Sequence, residues 1–303
     1  MTATPESPLV APPQPLPELT AGRRDAATTA RQERLRLLLR SKTFLAGSLL
    51  LAFWIFCAAF GAKVAPDNPF ATDILEKLAP PSGSHWFGTD SLGRDVFSRV
   101  LAGARDILIV APLATLLGTV LGTAIGLVAG YFRGLVDDVL MRLVDAFLAV
   151  PVVIIGMLAL VALRPSRLTV ILVIGVVFAP IIARTVRAAV LSERELDYVA
   201  AARLRNERAP YVMFAEILPN VFGPVLVEFT VRLGYAIFTI ATLSFLGVGI
   251  QPPAPDWGVQ ISDHYGLISG GYWWPVLFPA LAIASLVVGV NLIADGVNNA
   301  LDR

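Results

Sequence analysis

The stretch ILIVAPLATLLGTVLGTAIGLVAG, residues 107–130, has no charged side chain over 24 positions. A helix needs about 20 mainly apolar residues to cross the hydrocarbon layer of a bilayer, which is about 30 Å thick. The stretch is apolar on every face, whereas the strands of a membrane barrel alternate between apolar and polar residues. It therefore predicts a membrane-spanning α-helix.

The rest of the chain repeats this pattern. Of its 303 residues, 56% are hydrophobic and only 16% are charged, which is far more apolar than a soluble domain. The fifth uncharged stretch is expected to start earlier, near Val221, with Glu228 and Arg232 inside the span. The sequence thus predicts an all-α membrane protein with six transmembrane helices. The five further stretches are 44–62, 146–163, 168–183, 233–255 and 275–294.

Basic residues predict the orientation, because cytoplasmic loops retain Lys and Arg. With a cytoplasmic N-terminus, sixteen basic residues fall on the cytoplasmic side and seven on the outer side. Both termini are therefore predicted to be cytoplasmic, and so is the long loop 191–220. Residues 85–106 have apolar and charged positions at helical spacing, which predicts an amphipathic helix on the outer membrane surface.

The first 40 residues differ from the remainder. Residues 1–20 hold six prolines among small polar residues and are predicted to be disordered, and a basic segment follows. Arg31–Lys42 fits a helix lying on the anionic leaflet, or simply a basic flank before the first span. We therefore divide the chain into a cytoplasmic tail, 1–40, and a transmembrane domain, 41–303.

Several classes of function are disfavoured by what the sequence lacks. A net charge of +1 gives no global basic field for nucleic acid. Cys57 is the only cysteine, and His85 and His264 lie in separate outer loops, so no metal site is predicted. There is no Gly-x-x-x-x-Gly-Lys-Ser/Thr loop, zinc-protease pair or nucleophile elbow. The chain is predicted not to be an enzyme, and any energy would come from a partner.

The long cytoplasmic loop contains ELDYVAAARLRNERAPYVMFAEILPN, residues 195–220. A short helix is predicted first, with Leu196, Val199, Ala200 and Leu204 on one apolar face. Asn206 tolerates the left-handed conformation and would end this helix. A second helix would run over 210–217 until the following proline breaks it. The result is a helix–turn–helix projection, either a docking surface or a simple connector.

This loop resembles the "EAA" loop of bacterial ABC importer permeases. In that family the loop forms coupling helices that sit in a groove on an ATPase subunit. The resemblance implies contacts through Tyr198, Ala201, Ala202 and Asn206, the last of which stands where the family usually has Gly. The positions that match the pattern are Asp197, Ala201, Ala202, Ile217, Leu218 and Pro219.

Three further segments resemble the C-type subunit of the dipeptide, oligopeptide and nickel importers: GTDSLGRD at 88–95, LSFLGVGIQPPAPDWG at 243–258 and NLIADGVNNALDR at 291–303. The resemblance implies a type I importer permease fold in the lipid bilayer of a bacterial plasma membrane. It also implies a paralogous permease subunit, an extracytoplasmic substrate-binding protein and two ATPase subunits or domains. ATP and Mg²⁺ would bind to the ATPases, and this chain would need no cofactor.

Some questions stay open at this point. Relatives often have an acid where this chain has Ile240, so peptide, nickel chelate and glutathione-like cargo all remain possible. Glu228 and Arg232, four residues apart, would either mark the translocation path or form a structural ion pair. An ion-driven secondary transporter is the rival function. Finally, Gly118, Gly122, Gly126 and Gly130 form a small-residue stripe, predicted to pack closely within the permease pair.

Overall fold

The computed structural model describes residues 41–301, so the predictions for the 1–40 tail lie outside the described residues. The described range is all-α, as predicted. Two short 3₁₀ helices, Ile74–Glu76 and Tyr265–Gly270, lie in its connections. The α-helices are α1 Lys42–Val64, α2 Val96–Phe132, α3 Gly134–Leu148, α4 Val152–Leu163, α5 Arg167–Glu193, α6 Asp197–Leu204, α7 Ala209–Phe245, α8 Trp257–His264 and α9 Trp274–Leu301.

Five of these helices, α1, α2, α5, α7 and α9, are long and apolar enough to cross a membrane. The predicted third span is instead a pair, α3 and α4, bent by 86°. Pro151 explains the break, because it lacks an N–H and disfavours a helical conformation at the preceding Val150. With 12 residues, α4 is about 18 Å long, too short to cross the hydrocarbon layer alone.

The packing of α2 on α5 shows that the bent pair nevertheless makes a sixth crossing. Gly118 lies against Gly175 and Gly126 against Ala183, so the two helices run in the same direction. The chain between them must therefore return across the bundle through α3 and α4. In contrast, α1 and α9 are antiparallel, since Gly47 lies against Gly289 and Gly296 against Phe44. Both ends of the described chain thus lie on one side.

The glycine stripe of α2 packs closely, as predicted, but its partner is different. A Cβ atom added at Gly122 would lie 2.7 Å from the carbonyl oxygen of Ala179, and one added at Gly126 would lie 2.6 Å from that of Ala183. The helix that approaches so closely is α5 of the same chain. The expectation of a stripe between two permeases is therefore wrong, and the stripe instead fixes the centre of this bundle.

The two ends of the bundle carry different extramembrane structures. At one end, residues 65–95 and 246–273 form what we call the cap. At the other end, residues 193–220 form what we call the knob. The segment 85–106, predicted as a surface helix, instead forms a loop and then the first turns of α2. Arg99, on its polar face, is buried because the cap covers it.

Candidate functional site

The knob is a helix–turn–helix, as the sequence predicts. Its first helix, α6, ends where Asn206 adopts a left-handed conformation with a φ of +57°. The Asn206 N–H donates to the Arg203 carbonyl oxygen at 2.9 Å, and the Glu207 N–H donates to that of Ala202 at 3.2 Å. These bonds satisfy carbonyl groups that the helix end leaves open. The chain then turns directly into α7.

Four fully buried side chains hold the knob against the bundle: Val199, Ala202, Val212 and Ile217. Tyr198 adds a polar link, since its hydroxyl donates to Glu193 Oε1 at 2.8 Å and accepts from Asn220 Nδ2 at 3.1 Å. Burial and the Glu193 carboxylate raise the pKa of Tyr198 to about 12. The phenol therefore stays protonated and keeps both ends of the knob together.

The predicted apolar face of α6 is divided between the bundle and the outside, since only Val199 of its four residues is buried. Leu196, Ala200 and Leu204 face outward, and Leu204 is 84% exposed. These residues are spaced four apart and form one stripe along the helix. The buried face is instead that of Val199 and Ala202. Apolar spacing alone could not separate the two faces, because small apolar residues occur on both.

The residues predicted to contact an ATPase divide into two groups. Ala202 and Ile217 are fully buried, so their side chains support the knob from inside, and Leu218 and Tyr198 are partly buried. The sequence did not single out Tyr211 and Phe214, two large apolar side chains that are exposed at the start of α7. The predicted contact residues that are exposed are Asp197, Ala201, Asn206 and Pro219.

Pro219 does not break the second helix, contrary to the prediction. The turns before it, Val212–Ile217, are a π-helix, and the Leu218 N–H donates to the Met213 carbonyl oxygen five residues back. This wider turn accommodates the proline ring, which would clash with the carbonyl oxygen four residues back in a regular α-helix. The knob is therefore continuous with the α7 span.

The knob is also tied to the ends of α2 and α5. Arg133, just after α2, forms an ion pair with Glu195 at 2.5 Å. The Arg203 guanidinium lies 5.2 Å from the centre of the Tyr131 ring. The Arg194 side chain donates to the Gly130 carbonyl oxygen at 3.5 Å, and burial together with the neighbouring Arg203 lowers its pKa. Several spans thus meet at the knob.

The two charges inside α7 form an ion pair. Arg232 Nε donates to Glu228 Oε1 at 2.5 Å, and Glu228 is buried. The Arg232 guanidinium lies 5.3 Å from the centre of the exposed Tyr235 ring. Next to this pair, a cleft of about 450 Å³ between α7 and α9 is lined by Tyr235, Asn291 and Asp295. Ile240 is fully buried and does not line the cleft.

The cap contains a cluster that the sequence did not indicate. His85 Nδ1 lies 3.0 Å from Asp95 Oδ1 and 3.7 Å from Asp67 Oδ2, and its Nε2 lies 2.6 Å from Glu76 Oε2. Burial lowers the pKa of His85, but the hydrogen bonds to Asp95 and Glu76 outweigh it and raise the pKa above the ordinary value. The other histidine, His264, contacts Ser91. The His85 cluster joins three loop segments.

Comparison with known proteins gives a consistent result. Residues 122–303 match the family described as "Binding-protein-dependent transport system inner membrane component". The dipeptide transport system permease protein DppC of Bacillus subtilis is 36% identical over 271 residues, covering 89% of this chain and 85% of the relative. The DppC protein of Escherichia coli is 39% identical, covering 87% and 89%. The di/tripeptide transport system permease protein DppC of Pseudomonas aeruginosa is 36% identical, covering 86% and 88%.

Proposed function

The chain belongs to the family of binding-protein-dependent transport system inner membrane components, and from that premise we propose that it is a permease subunit of an ATP-driven peptide importer. Its relatives are named for dipeptide, di/tripeptide or peptide transport. This supports peptides over the nickel chelates or glutathione-like compounds that the sequence left open. The chain would not hydrolyse ATP itself. It would move with a separate ATPase that holds ATP and Mg²⁺.

The observation that carries this proposal is the outward-facing apolar stripe of the knob. Leu196, Ala200 and Leu204 are exposed, together with Tyr211 and Phe214 nearby. A contiguous apolar surface rimmed by charges commonly marks a protein–protein interface. Asp197 and Arg205 supply charges at its edge. We therefore assign the knob as the docking surface for an ATPase subunit.

The bias of basic residues supports a cytoplasmic knob, where nucleotide is available. The cap would then face outward and receive a substrate-binding protein. A paralogous permease would complete the path beside α7 and α9, where the cleft with Asn291 and Asp295 lies. Charges this close to a membrane span commonly face water or another subunit.

The continuity of the knob with α7 suggests how the two sites would be coupled. Because the helix runs from Ala209 to Phe245, a shift of the knob would be transmitted to the Glu228–Arg232 pair and to the cleft. Two arrangements of such a rigid element, biased by nucleotide on the ATPase, would give alternating access. The ion pair within α7 would keep both charges compensated during this motion.

The test is a charge placed on the docking surface. Ala201→Glu should leave the protein folded and in the membrane but abolish copurification of its ATPase, because a buried carboxylate without a partner is costly at an interface. The matched control is Ser192→Glu, which adds the same charge at an exposed position of α5 off the stripe. Unchanged copurification of Ala201→Glu would contradict the docking role.

Cargo is tested separately, with labelled dipeptides and longer peptides. A strain lacking this chain should lose their uptake, and the wild-type chain should restore it. If the deletion strain takes up peptides normally but loses uptake of nickel or glutathione, the cargo is one of those compounds and not a peptide.

A further inference from the structure

An apolar cleft of about 410 Å³ opens between α1 and α7, on the side of α7 away from the polar cleft described above. Its lining residues come from α1, α2, α7 and α9, with most of them on α1 and α2. The lining is apolar apart from one arginine. Representative lining residues are Leu51, Ile55, Ala59, Ala111, Leu233 and Val290.

The shape of the cleft follows from small side chains. Ala59 on α1 and Ala111 on α2 leave space where larger residues would close the groove. Along α1 the cleft extends from Leu51 to Ala59, eight residues or about 12 Å. It is therefore a narrow channel parallel to the spans, open to the side.

The single charged group at the cleft is Arg105. It precedes the uncharged stretch 107–130 by two residues, so it lies at the cap-side boundary of the hydrocarbon layer. Within residues 41–301, Arg105 has no carboxylate partner. Arg94 and Arg167 at this end do have one: Arg94 lies 2.6 Å from Asp90, and Arg167 lies 2.7 Å from Asp106.

We propose that this cleft binds one anionic phospholipid, with an acyl chain in the groove and the phosphate on Arg105. An unpaired guanidinium at the headgroup level attracts an anionic headgroup. The apolar groove beneath it offers an acyl chain close contact with protein along about 12 Å. The guanidinium and the groove are thus arranged like the headgroup and the acyl chain of one lipid.

The single cation at the cleft favours a lipid over a helix of a second permease. An acyl chain would run along about 12 Å of the groove with its anionic headgroup paired to Arg105. An uncharged helix of a second permease would leave the guanidinium without a counter-charge.

The cleft is also separate from the proposed translocation path. Leu233 and Ile237 line it, whereas Tyr235 and Phe238 line the polar cleft on the other side of α7. A lipid bound here would contact the face of α7 opposite the proposed translocation path and would not enter that path. The inference therefore does not depend on the identity of the cargo.

The test is native mass spectrometry of the purified transporter with phosphatidylglycerol or phosphatidylcholine. Wild type should retain one phosphatidylglycerol in preference to phosphatidylcholine. Arg105→Gln should reduce that preference roughly fivefold, the effect of removing one basic group at an anionic surface. The matched control is Arg164→Gln, another arginine at the cap end that does not line the cleft.

A second pair of variants tests the groove itself. Ala59→Trp should fill the cleft from an exposed position of α1 and remove the retained lipid. Ala62→Trp, exposed on α1 outside the cleft, should leave it bound. Lipid retention that is equal for the two headgroups, or insensitive to Ala59→Trp, would overturn the proposal. So would crosslinking of a cysteine at position 59 to the second permease instead of to a photoactivatable lipid.

Discussion

The cap and the knob lie at opposite ends of the same bundle, and different contacts hold them together. In the cap, polar and aromatic groups are buried and paired within the chain: the Trp257 indole N–H donates to the Val100 carbonyl oxygen at 2.9 Å, and that of Trp274 to Thr89 at 3.0 Å. In the knob, apolar side chains such as Leu204 and Phe214 are exposed. Both ends expose large apolar side chains, among them Leu75 in the cap. The difference is in what holds each end together: buried hydrogen bonds in the cap, and buried apolar side chains in the knob.

Substitutions at the two ends should therefore affect different properties: the stability of the chain or its association with a partner. A change in the buried cap network should lower the stability of the chain by itself. A change on the exposed stripe of the knob should leave stability unchanged and weaken association. The following predictions test this separation, from the largest expected effect to the smallest.

Substitution of Asp90 is expected to have the largest effect on stability. Its carboxylate accepts from the Leu92 and Arg94 N–H groups and from the Arg94 side chain, and it lies 3.7 Å from buried Arg99. Asp90→Ala should destabilise the chain by about 3–5 kcal/mol, because buried Arg99 and half-buried Arg94 lose their counter-charge. Thermal unfolding in detergent, followed by tryptophan fluorescence, measures this loss.

The control for Asp90→Ala comes from the other end of the chain. Leu204→Ala should leave thermal unfolding unchanged, because this side chain is 84% exposed, while it weakens ATPase association. If Asp90→Ala unfolds like wild type, or Leu204→Ala is the less stable of the two, the contrast between cap and knob is wrong.

The turn at Asn206 carries an intermediate effect. A β-branched side chain at a φ of +57° should cost about 1–2 kcal/mol, so Asn206→Ile should distort the end of α6. ATPase association should fall roughly 5–30-fold as the knob loses its shape. A pull-down titration measures this association. Asn206→Gly suits the same conformation and should bind the ATPase like wild type. Equal ATPase binding by both variants would show that the turn has no role in association.

Asp256 at the start of α8 carries a smaller, pH-dependent effect. Burial raises the pKa of this carboxyl to about 6, so the folded state holds its proton more tightly than the unfolded chain. The stability from this group is fully present below the unfolded pKa of about 3.9 and is lost as pH rises through about 6. Melting temperature should therefore fall between about pH 4 and 6 and level off above that range.

The variant Asp256→Asn isolates this contribution. Its side-chain oxygen can still accept from the Val259 N–H, which now donates to Asp256 Oδ1 at 3.0 Å. The fall in melting temperature between about pH 4 and 6 should be smaller in the variant. An equal fall in both proteins would assign the pH dependence to other groups.

The parts of the fold that were predicted from the sequence depend on local composition. Uncharged stretches identified the spans, and the tolerance of Asn for left-handed geometry identified the turn at Asn206. The family resemblance located the knob. Each of these follows from residues close together in the chain.

The parts that were missed depend on packing between distant segments. The buried face of α6 is determined by what lies behind it, so the sequence did not show that Ala202, predicted as a contact residue, is buried while Leu204 is exposed. Pro219 is tolerated because a π-helix precedes it, which composition does not reveal. The His85 cluster joins carboxylates from three loop segments. Proximity of this kind becomes visible only in the folded chain.

The most direct test of the docking knob is the accessibility of one thiol. Leu204→Cys, in a Cys57→Ala background that removes the only native cysteine, is treated with a membrane-impermeant maleimide in inside-out vesicles. The thiol should be labelled in the permease alone and protected once the ATPase is bound. Labelling in right-side-out vesicles instead, or equal labelling with and without the ATPase, would contradict the assignment of the knob as the cytoplasmic docking surface.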